Sequence, residues 1–224
     1  MYDIVFISYN EPNAEENYTR LKSRFPTLRR VHGVKGIHQA HIAAAKKAFT
    51  RMFWVVDGDA EVLDTFNFDY TVPDSELDVV HVWRSRNPVN GLEYGNGGIK
   101  LLPKKLTMQM DTSRVDMTTS ISTKFKAMDQ VSNVTAFNTD PFTSWRSAFR
   151  ECVKLSSKVI DGQVDDETAH RLDVWCTQTT DENALKGALA GRTYGQENAG
   201  NIPALSLIND FDWLHTQFEV SINS

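Results

Sequence analysis

The sequence predicts an α/β fold in which helices flank a single sheet. Short apolar runs of the kind found in strands covered on both faces alternate with helical segments over the first third of the chain. Their order is strand, helix, strand, helix, strand, which predicts a Rossmann-like N-terminal half with parallel strands. The pattern then becomes less regular, which indicates a mixed sheet. Because no Pro/Gly/Ser-rich linker divides the chain, we expect one domain over residues 1–224.

Local signals support each element of the alternating part. The first strand, 4–8, is a continuous apolar run that ends in a turn-rich segment. The helix predicted after it has acidic residues in its first turn and basic residues in its last, which matches the helix dipole. The predicted elements of this part are strand 4–8, helix 14–25, strand 28–31, the alanine-rich helix 37–50 and strand 53–56.

The second part of the chain has fewer strands and ends in helices. Residues 78–83 are predicted to form a strand, and the glycine-rich turn from Gly95 to Lys100 leads into another that ends at Pro103. Residues 131–137 form one more predicted strand. Asp140-Pro141 then begins a helix to about residue 156, and the remainder is mostly helical.

The composition is that of an ordinary globular protein, with 41 % hydrophobic and 24 % charged residues. No run of about 18 apolar residues is present, and a strand rather than a leader follows Met1. Cys152 and Cys176 are too few for a disulfide framework or a zinc site, so we expect both to be reduced and packed. The sequence predicts a cytoplasmic protein with no membrane partner.

The charge is unevenly distributed along the chain. A formal charge of −5 argues against a generally basic nucleic-acid binder. Between Val79 and Lys126, however, eight Lys and Arg residues stand against three Asp and Glu residues, a local excess of +5. Two interpretations stay open for this segment: an anionic partner binds there, or its charges only solvate the surface.

The most informative motif is Asp57-Gly58-Asp59, which directly follows the third apolar strand. The carboxyl edge of an open α/β sheet is where ligands bind. Two carboxylates there suit Mg²⁺ or Mn²⁺, which share their remaining ligand positions with substrate phosphates. A polar turn would contain the same residue types, so the prediction of a metal site depends on the position of the motif directly after the strand.

This arrangement resembles the GT-A family of nucleotide-sugar glycosyltransferases. Residues 6–13, 30–38 and 137–142 are similar to segments of small glycosyltransferases of T-even-like bacteriophages. The resemblance implies transfer of a sugar from a UDP-sugar donor to a hydroxyl acceptor, with Mn²⁺ or Mg²⁺ as cofactor. It further implies DNA as the acceptor partner, with 5-hydroxymethylcytosine or a related base as the target, and the host cytoplasm as location if the protein is phage-encoded. Residues 1–78 would form the nucleotide-binding half and residues 79–224 the acceptor-binding half.

The resemblance also implies roles for particular residues. The nucleotide sugar would be bound by residues from four places: the end of the first strand, the start of the second helix, the acidic motif and the glycine-rich turn. These residues are Ser8, Tyr9, Glu11, Lys35, His38, Asp57, Gly97 and Gly98. Basic residues would bind the acceptor DNA: Arg84, Arg86, Lys100 and Arg146. Asp57, Asp59 and His215 would hold the metal, and Asp140 would act as the catalytic base.

Several of these residues have plain structural alternatives. Tyr9 suits a half-buried packing position, Lys35 a solvated surface, Asp140 a helix N-cap and His215 a structural site on a helix. Two other functions also stay open, namely nucleotidyl transfer at the same nucleotide site and a non-catalytic DNA-binding accessory role. The first is disfavoured because Ser8-Tyr9-Asn10-Glu11-Pro12 replaces the glycine-rich basic loop usual in that class.

Overall fold

The computed structural model describes residues 1–95, 98–160 and 165–222. The chain divides into two compact units. Unit 1 comprises Met1–Asn87, Glu93–Thr112 and Met117–Ala136, and unit 2 comprises Pro88–Leu92, Ser113–Asp116 and Phe137–Ser224. The single domain over 1–224 and its two functional halves stay predictions.

One sheet contains all the strands found in the described part of unit 1. The strands are β1 (Asp3–Ser8), β2 (Arg29–His32), β3 (Met52–Asp57), β4 (Ala60–Val62), β5 (Val80–Arg86), β6 (Glu93–Tyr94), β7 (Ile99–Pro103) and β8 (Phe125–Thr135). Their order is β2-β1-β3-β7-β5-β8-β4, with β6 paired to β5. β1 is parallel to β2 and β3, whereas β7 is antiparallel to both β3 and β5. The predicted α/β class, with a Rossmann-like N-terminal half and a mixed sheet, is confirmed.

Helices cover both faces of this sheet. They are α1 (Ala14–Arg24), α2 (Ile37–Lys47), α3 (Lys104–Met108) and α4 (Met117–Ile121). α1 packs on the face that carries Trp54 and Trp83, and α2, α3 and α4 pack on the face that carries Phe53 and Val55. These three layers form the α/β/α sandwich expected of a GT-A-like fold.

Unit 2 is mostly helical, as predicted. Its described helices are α5 (Pro141–Ser157), α6 (Asp165–Thr177), α7 (Glu182–Glu197), α8 (Ile202–Ser206) and α9 (Phe211–Ile222). Cys152 and Cys176 are buried there and form no disulfide. Across the described residues of both units, no helix has the length and apolar character needed to cross a membrane.

A row of glycines brings α7 against α5. Gly187, Gly191 and Gly195 lie one helical turn apart on the same side of α7. A Cβ atom at Gly187 or Gly191 would overlap the backbone of Trp145 or Phe149 in α5. Only glycine allows the two helices to pack this closely.

Candidate nucleotide and metal site

The carboxyl ends of β1, β2 and β3 lie together at one edge of the sheet. Their parallel register pairs Ile7 with Asp57 and Ser8 with His32. Because β7 is antiparallel to β3 and β5, its amino end reaches the same edge. The Asp57-Gly58-Asp59 motif begins with the last residue of β3 and lies, as the sequence predicts, at the edge where ligands bind in open α/β sheets.

Hydrogen bonds hold the backbone of the motif on three sides. The buried amide of Asn17 donates to the carbonyl of Gly58 at 2.9 Å. The N–H of Asp57 donates to the carbonyl of Gly98 at 3.0 Å, and the N–H of Ala136 donates to that of Asp59 at 2.7 Å. The turn is therefore built by α1, β7 and the residue after β8, and its carboxylates are presented on a fixed backbone.

Glu11 lies directly against the motif. A Cβ atom added at Gly58 would stand 2.7 Å from Glu11 Oε2 and 3.2 Å from the carbonyl oxygen of Ile7. The same carboxylate oxygen accepts a hydrogen bond from the N–H of Tyr9 at 2.7 Å. The close approach explains why glycine stands between the two aspartates, and it brings Tyr9 and Glu11 to the motif.

Asp57 forms an ion pair with a buried lysine. Lys100 Nζ donates to both carboxylate oxygens of Asp57, at 2.9 and 2.8 Å. The Lys100 side chain is 2 % exposed and that of Asp57 is 34 % exposed. Our expectation that Lys100 contacts DNA does not fit this position, because a buried ammonium bound to Asp57 does not face an external phosphate.

A neutral histidine lies on the same side of the sheet as Lys100. Burial is the main cause that lowers the pKa of His41 to about 3, and the charge of Lys100 contributes to this shift. His41 Nδ1 donates to the carbonyl of Ile37 at 2.7 Å, since a carbonyl oxygen only accepts. The uncharged ring adds no second cation beside Lys100.

Two other predicted nucleotide-sugar residues are buried within unit 1. Ser8 Oγ accepts a hydrogen bond from Arg30 Nε and is hydrogen-bonded to His32 Nδ1, both at 3.0 Å. His38 Nε2 is hydrogen-bonded to Ser120 Oγ at 3.1 Å. Lys35, in contrast, is exposed and lies two residues before α2 begins. The binding roles of all three stay predictions.

Gly98 packs against a buried polar cluster at the same edge. A Cβ atom at Gly98 would lie 2.7 Å from Asn133 Nδ2 and 3.0 Å from Ser85 Oγ. Ser85 and Ser132 each donate a hydroxyl hydrogen bond to Asn133 Oδ1, at 2.8 and 2.9 Å. This cluster fixes the start of β7, whose Gly98 carbonyl bonds the motif. Gly97 and its neighbour Asn96 lie outside the described residues.

Much of the basic segment forms ion pairs with nearby carboxylates. Arg84 pairs with Asp129, and Arg86 pairs with Glu93. Lys124 pairs with Asp78, and Lys126 pairs with Glu76. These pairs favour the interpretation that the segment is a solvated surface of mixed sign, and the DNA-binding role of Arg84 and Arg86 stays a prediction.

Asp140 is the N-cap of α5. Its carboxylate accepts from the N–H of Thr143 at 2.9 Å and from the Thr143 hydroxyl at 2.7 Å. Burial acts to raise the pKa of Asp140, but the hydrogen bonds from Thr143 and Phe142 outweigh it and leave the pKa below its ordinary value. Asp140 is therefore an N-cap, and its role as catalytic base stays a prediction.

The other predicted residues of unit 2 pack against aromatic rings. The Arg146 guanidinium lies over the rings of Phe142 and Phe211, at 5.7 and 5.3 Å from their centroids. His215 is exposed and stacks on Phe142, with centroids 3.8 Å apart. Their roles toward DNA and metal stay predictions.

The chemistry of Asp57 and Asp59 fits a divalent cation that binds together with a diphosphate. Both residues are partly exposed, and both offer hard carboxylate oxygens. Within residues 1–95, 98–160 and 165–222, no group of three or more His, Cys, Asp or Glu residues is placed to hold a metal. Mg²⁺ commonly uses one or two carboxylates and takes the remainder from phosphate and water, so two are sufficient.

The buried ion pair of Lys100 with Asp57 differs from the DNA contact that we expected, although the sequence contains a signal for it. Lys100 is the one charged residue in the apolar run Ile99-Lys100-Leu101-Leu102. A lysine in a buried strand needs a carboxylate partner, which directs attention to an acidic residue on a neighbouring strand. The structural roles of Asn17 and Asn133 were not predicted either, because single amides in a helix or strand have no distinctive sequence pattern.

Comparison with known proteins gives no family assignment. No family model matches the chain, and no curated protein does. HddC from Yersinia pseudotuberculosis shares 16 % identity over 59 % of this chain and 92 % of its own, with a TM-score of 0.36. The mannosyltransferase PcManGT from Pyrobaculum calidifontis, solved with GDP-Man and Mn²⁺, shares 13 % identity over 99 % of this chain and 84 % of its own, with a TM-score of 0.44. Likenesses this distant do not carry the functional argument, which comes from the site itself.

Proposed function

We propose that this protein is a glycosyltransferase that moves a sugar from a nucleotide diphosphate to a hydroxyl acceptor. The observation that carries the proposal is the Asp57-Gly58-Asp59 turn at the carboxyl edge of the parallel strands, with Glu11 packed against Gly58. Mn²⁺ or Mg²⁺ held by Asp57 and Asp59 would offset the negative charge that develops on the leaving diphosphate.

The residues after β1 supply the nucleoside side of the proposed site. Tyr9 is half-buried, and its ring is of the kind that stacks on a base. The Glu11 carboxylate is held by the N–H of Tyr9 and retains acceptor capacity for a ribose hydroxyl. UDP as the nucleotide rests on the resemblance to phage glycosyltransferases described above.

The identity of the acceptor is the more specific part of the proposal. The same resemblance favours the hydroxymethyl group of a modified pyrimidine in DNA. Such a base would have to leave the stack to reach a donor sugar held in a cleft. Because most described cations of the basic segment are paired, we expect a small number of phosphate contacts and a shallow salt dependence of DNA binding.

The direct test is an assay of donor, acceptor and activity together. The protein is incubated with Mn²⁺, a panel of UDP-sugars and DNA that contains hydroxymethylcytosine, and the DNA is analysed by mass spectrometry. We expect a mass increase of one sugar residue, with release of UDP. Pyrophosphate release from a nucleoside triphosphate and a sugar phosphate would instead indicate nucleotidyl transfer.

Asp59→Asn is the informative variant for this assay. It removes one carboxylate from the motif and leaves the Asp57–Lys100 ion pair in place. Asp64→Asn is the matched control, since Asp64 is an exposed carboxylate of unit 1 that pairs with Arg20. Full activity in Asp59→Asn, or absence of metal-dependent nucleotide binding in the unmodified protein, would contradict the proposal.

A further inference from the structure

Lys100 is an unusual residue for the centre of a sheet. β7 lies between β3 and β5, and the residues on either side of Lys100, Ile99 and Leu101, are fully buried. A buried ammonium is costly unless a carboxylate compensates it, and Asp57 does so with both of its oxygens. One of the two proposed metal ligands therefore already has an internal counter-ion.

One neighbour of Lys100, His41, carries no charge of its own. His41, on the facing helix α2, is neutral, and its buried Nε2 atom has no hydrogen-bond partner. The Asp57 side chain is 34 % exposed. Lys100 thus contacts Asp57 from the buried side, and part of the Asp57 side chain is exposed to solvent.

This arrangement changes the charge that a metal ion would meet. Asp57 and Asp59 together carry two negative charges, and Lys100 cancels one of them. A divalent cation at Asp57 would also be repelled by an ammonium that bonds the same carboxylate, in surroundings that screen charge less than water does. A nucleotide diphosphate brings further negative charge and removes this disadvantage.

We propose that Lys100 makes binding of a divalent cation to Asp57 and Asp59 depend on the nucleotide diphosphate. The free metal binds weakly, and the metal–diphosphate complex binds tightly. Lys100 is in this sense a positioning and charge-setting residue. The inference rests on the proposed function, because it takes the motif as the diphosphate site.

The test is a titration with Mn²⁺ followed by electron paramagnetic resonance, which measures free Mn²⁺ without any turnover. The full-length protein is titrated with Mn²⁺ alone and with Mn²⁺ in the presence of UDP or GDP. For the unmodified protein we expect the Mn²⁺ Kd to be at least about tenfold lower with nucleotide, equal to about 1.4 kcal/mol. For Lys100→Met we expect about tenfold tighter binding of Mn²⁺ alone and a smaller nucleotide effect.

Two control variants make the result specific to the charge of Lys100. Lys104→Met removes another ammonium of unit 1, which donates to the carbonyl of Ala48, and should leave Mn²⁺ binding unchanged. Lys100→Arg keeps the charge and should behave as the unmodified protein. If Lys100→Met does not fold, as judged by circular dichroism, Lys100→Gln replaces it in the same titration.

The outcomes separate this inference from the proposed function. If nucleotide strengthens Mn²⁺ binding equally in the unmodified protein and in folded Lys100→Met, the role of Lys100 is overturned and the proposed function stands. If neither UDP nor GDP affects Mn²⁺ binding in the unmodified protein, the proposed function is overturned, and the nucleotide dependence falls with it.

Discussion

Replacing Asp57 by alanine should destabilise the protein before any effect on catalysis is considered. The substitution removes the carboxylate that holds Lys100 Nζ at 2.8 and 2.9 Å, and the lysine side chain is only 2 % exposed. Removing one partner of a buried ion pair costs about 3–5 kcal/mol. Since the carboxylate side of this pair is 34 % exposed, water can reach part of it, and we expect a loss near the lower end, about 3 kcal/mol.

A double-mutant cycle isolates this effect. Lys100→Met leaves a carboxylate that water can partly solvate, so it should cost less than Asp57→Ala, and Asp57→Ala/Lys100→Met should recover much of the loss. The coupling free energy should exceed about 1 kcal/mol, in the range of residues in direct contact. Urea unfolding followed by the fluorescence of the buried Trp54 and Trp83 in unit 1 measures it.

The reasoning would be refuted if Asp57→Ala and the double variant had free energies of unfolding within about 0.5 kcal/mol of each other. Such a result would mean that the Lys100 ammonium is solvated in another way when the Asp57 carboxylate is removed. If the prediction holds, loss of activity in Asp57→Ala has two causes, loss of metal binding and loss of structure. Asp59→Asn would be the cleaner probe of the metal.

Three further predictions concern other parts of the chain. Gly191→Ala should lower the free energy of unfolding by about 3 kcal/mol, because the new Cβ meets the backbone of Phe149 rather than a movable side chain. His41 is neutral in the folded protein while an unfolded histidine binds a proton below pH 6.5, so stability should fall by about 1.4 kcal/mol per pH unit from pH 6.5 toward 3, and His41→Gln should remove this slope. Asp140→Asn keeps the N-cap and should leave stability within about 0.5 kcal/mol, so a fall in sugar transfer of about 100-fold or more would assign it the base role.

Each of these variants has a matched control in the chain. Lys186→Ala changes an exposed residue of α7 beside the glycine row and should be nearly neutral. His170→Gln removes an exposed histidine and should leave the pH dependence of unfolding intact. Asp181→Asn changes the N-cap of α7 and should affect neither stability nor sugar transfer. If Asp140→Asn retains full sugar transfer, Asp140 is an N-cap alone.

The parallel half of the sheet was predictable because its local and global signals agree. α1 has Glu15 and Glu16 in its first turn and ends at Arg24, within one residue of the prediction. β3 is fully apolar until Asp57, which marks both the end of the strand and the position of the motif. Here periodicity, capping and burial all indicate the same structure.

The later strands were harder to predict because their partners are distant in sequence. β8 begins at Phe125, six residues before the predicted strand, and none of its first seven residues is buried. β4 is a strand of three residues that pairs with β8 far along the chain. The partnership of Lys100 with Asp57 depends on β7 entering antiparallel beside β3, and strand direction is set by tertiary packing rather than by local sequence.

The glycine row of α7 also limits how this protein can diverge. A larger residue at Gly187, Gly191 or Gly195 would move α5, and the N-terminus of α5 carries Asp140. Relatives that keep the same separation of the two helices must therefore retain very small residues at a spacing of four. In sequences too different to align by identity, that spacing would indicate an equally close helix pair at this place in the chain.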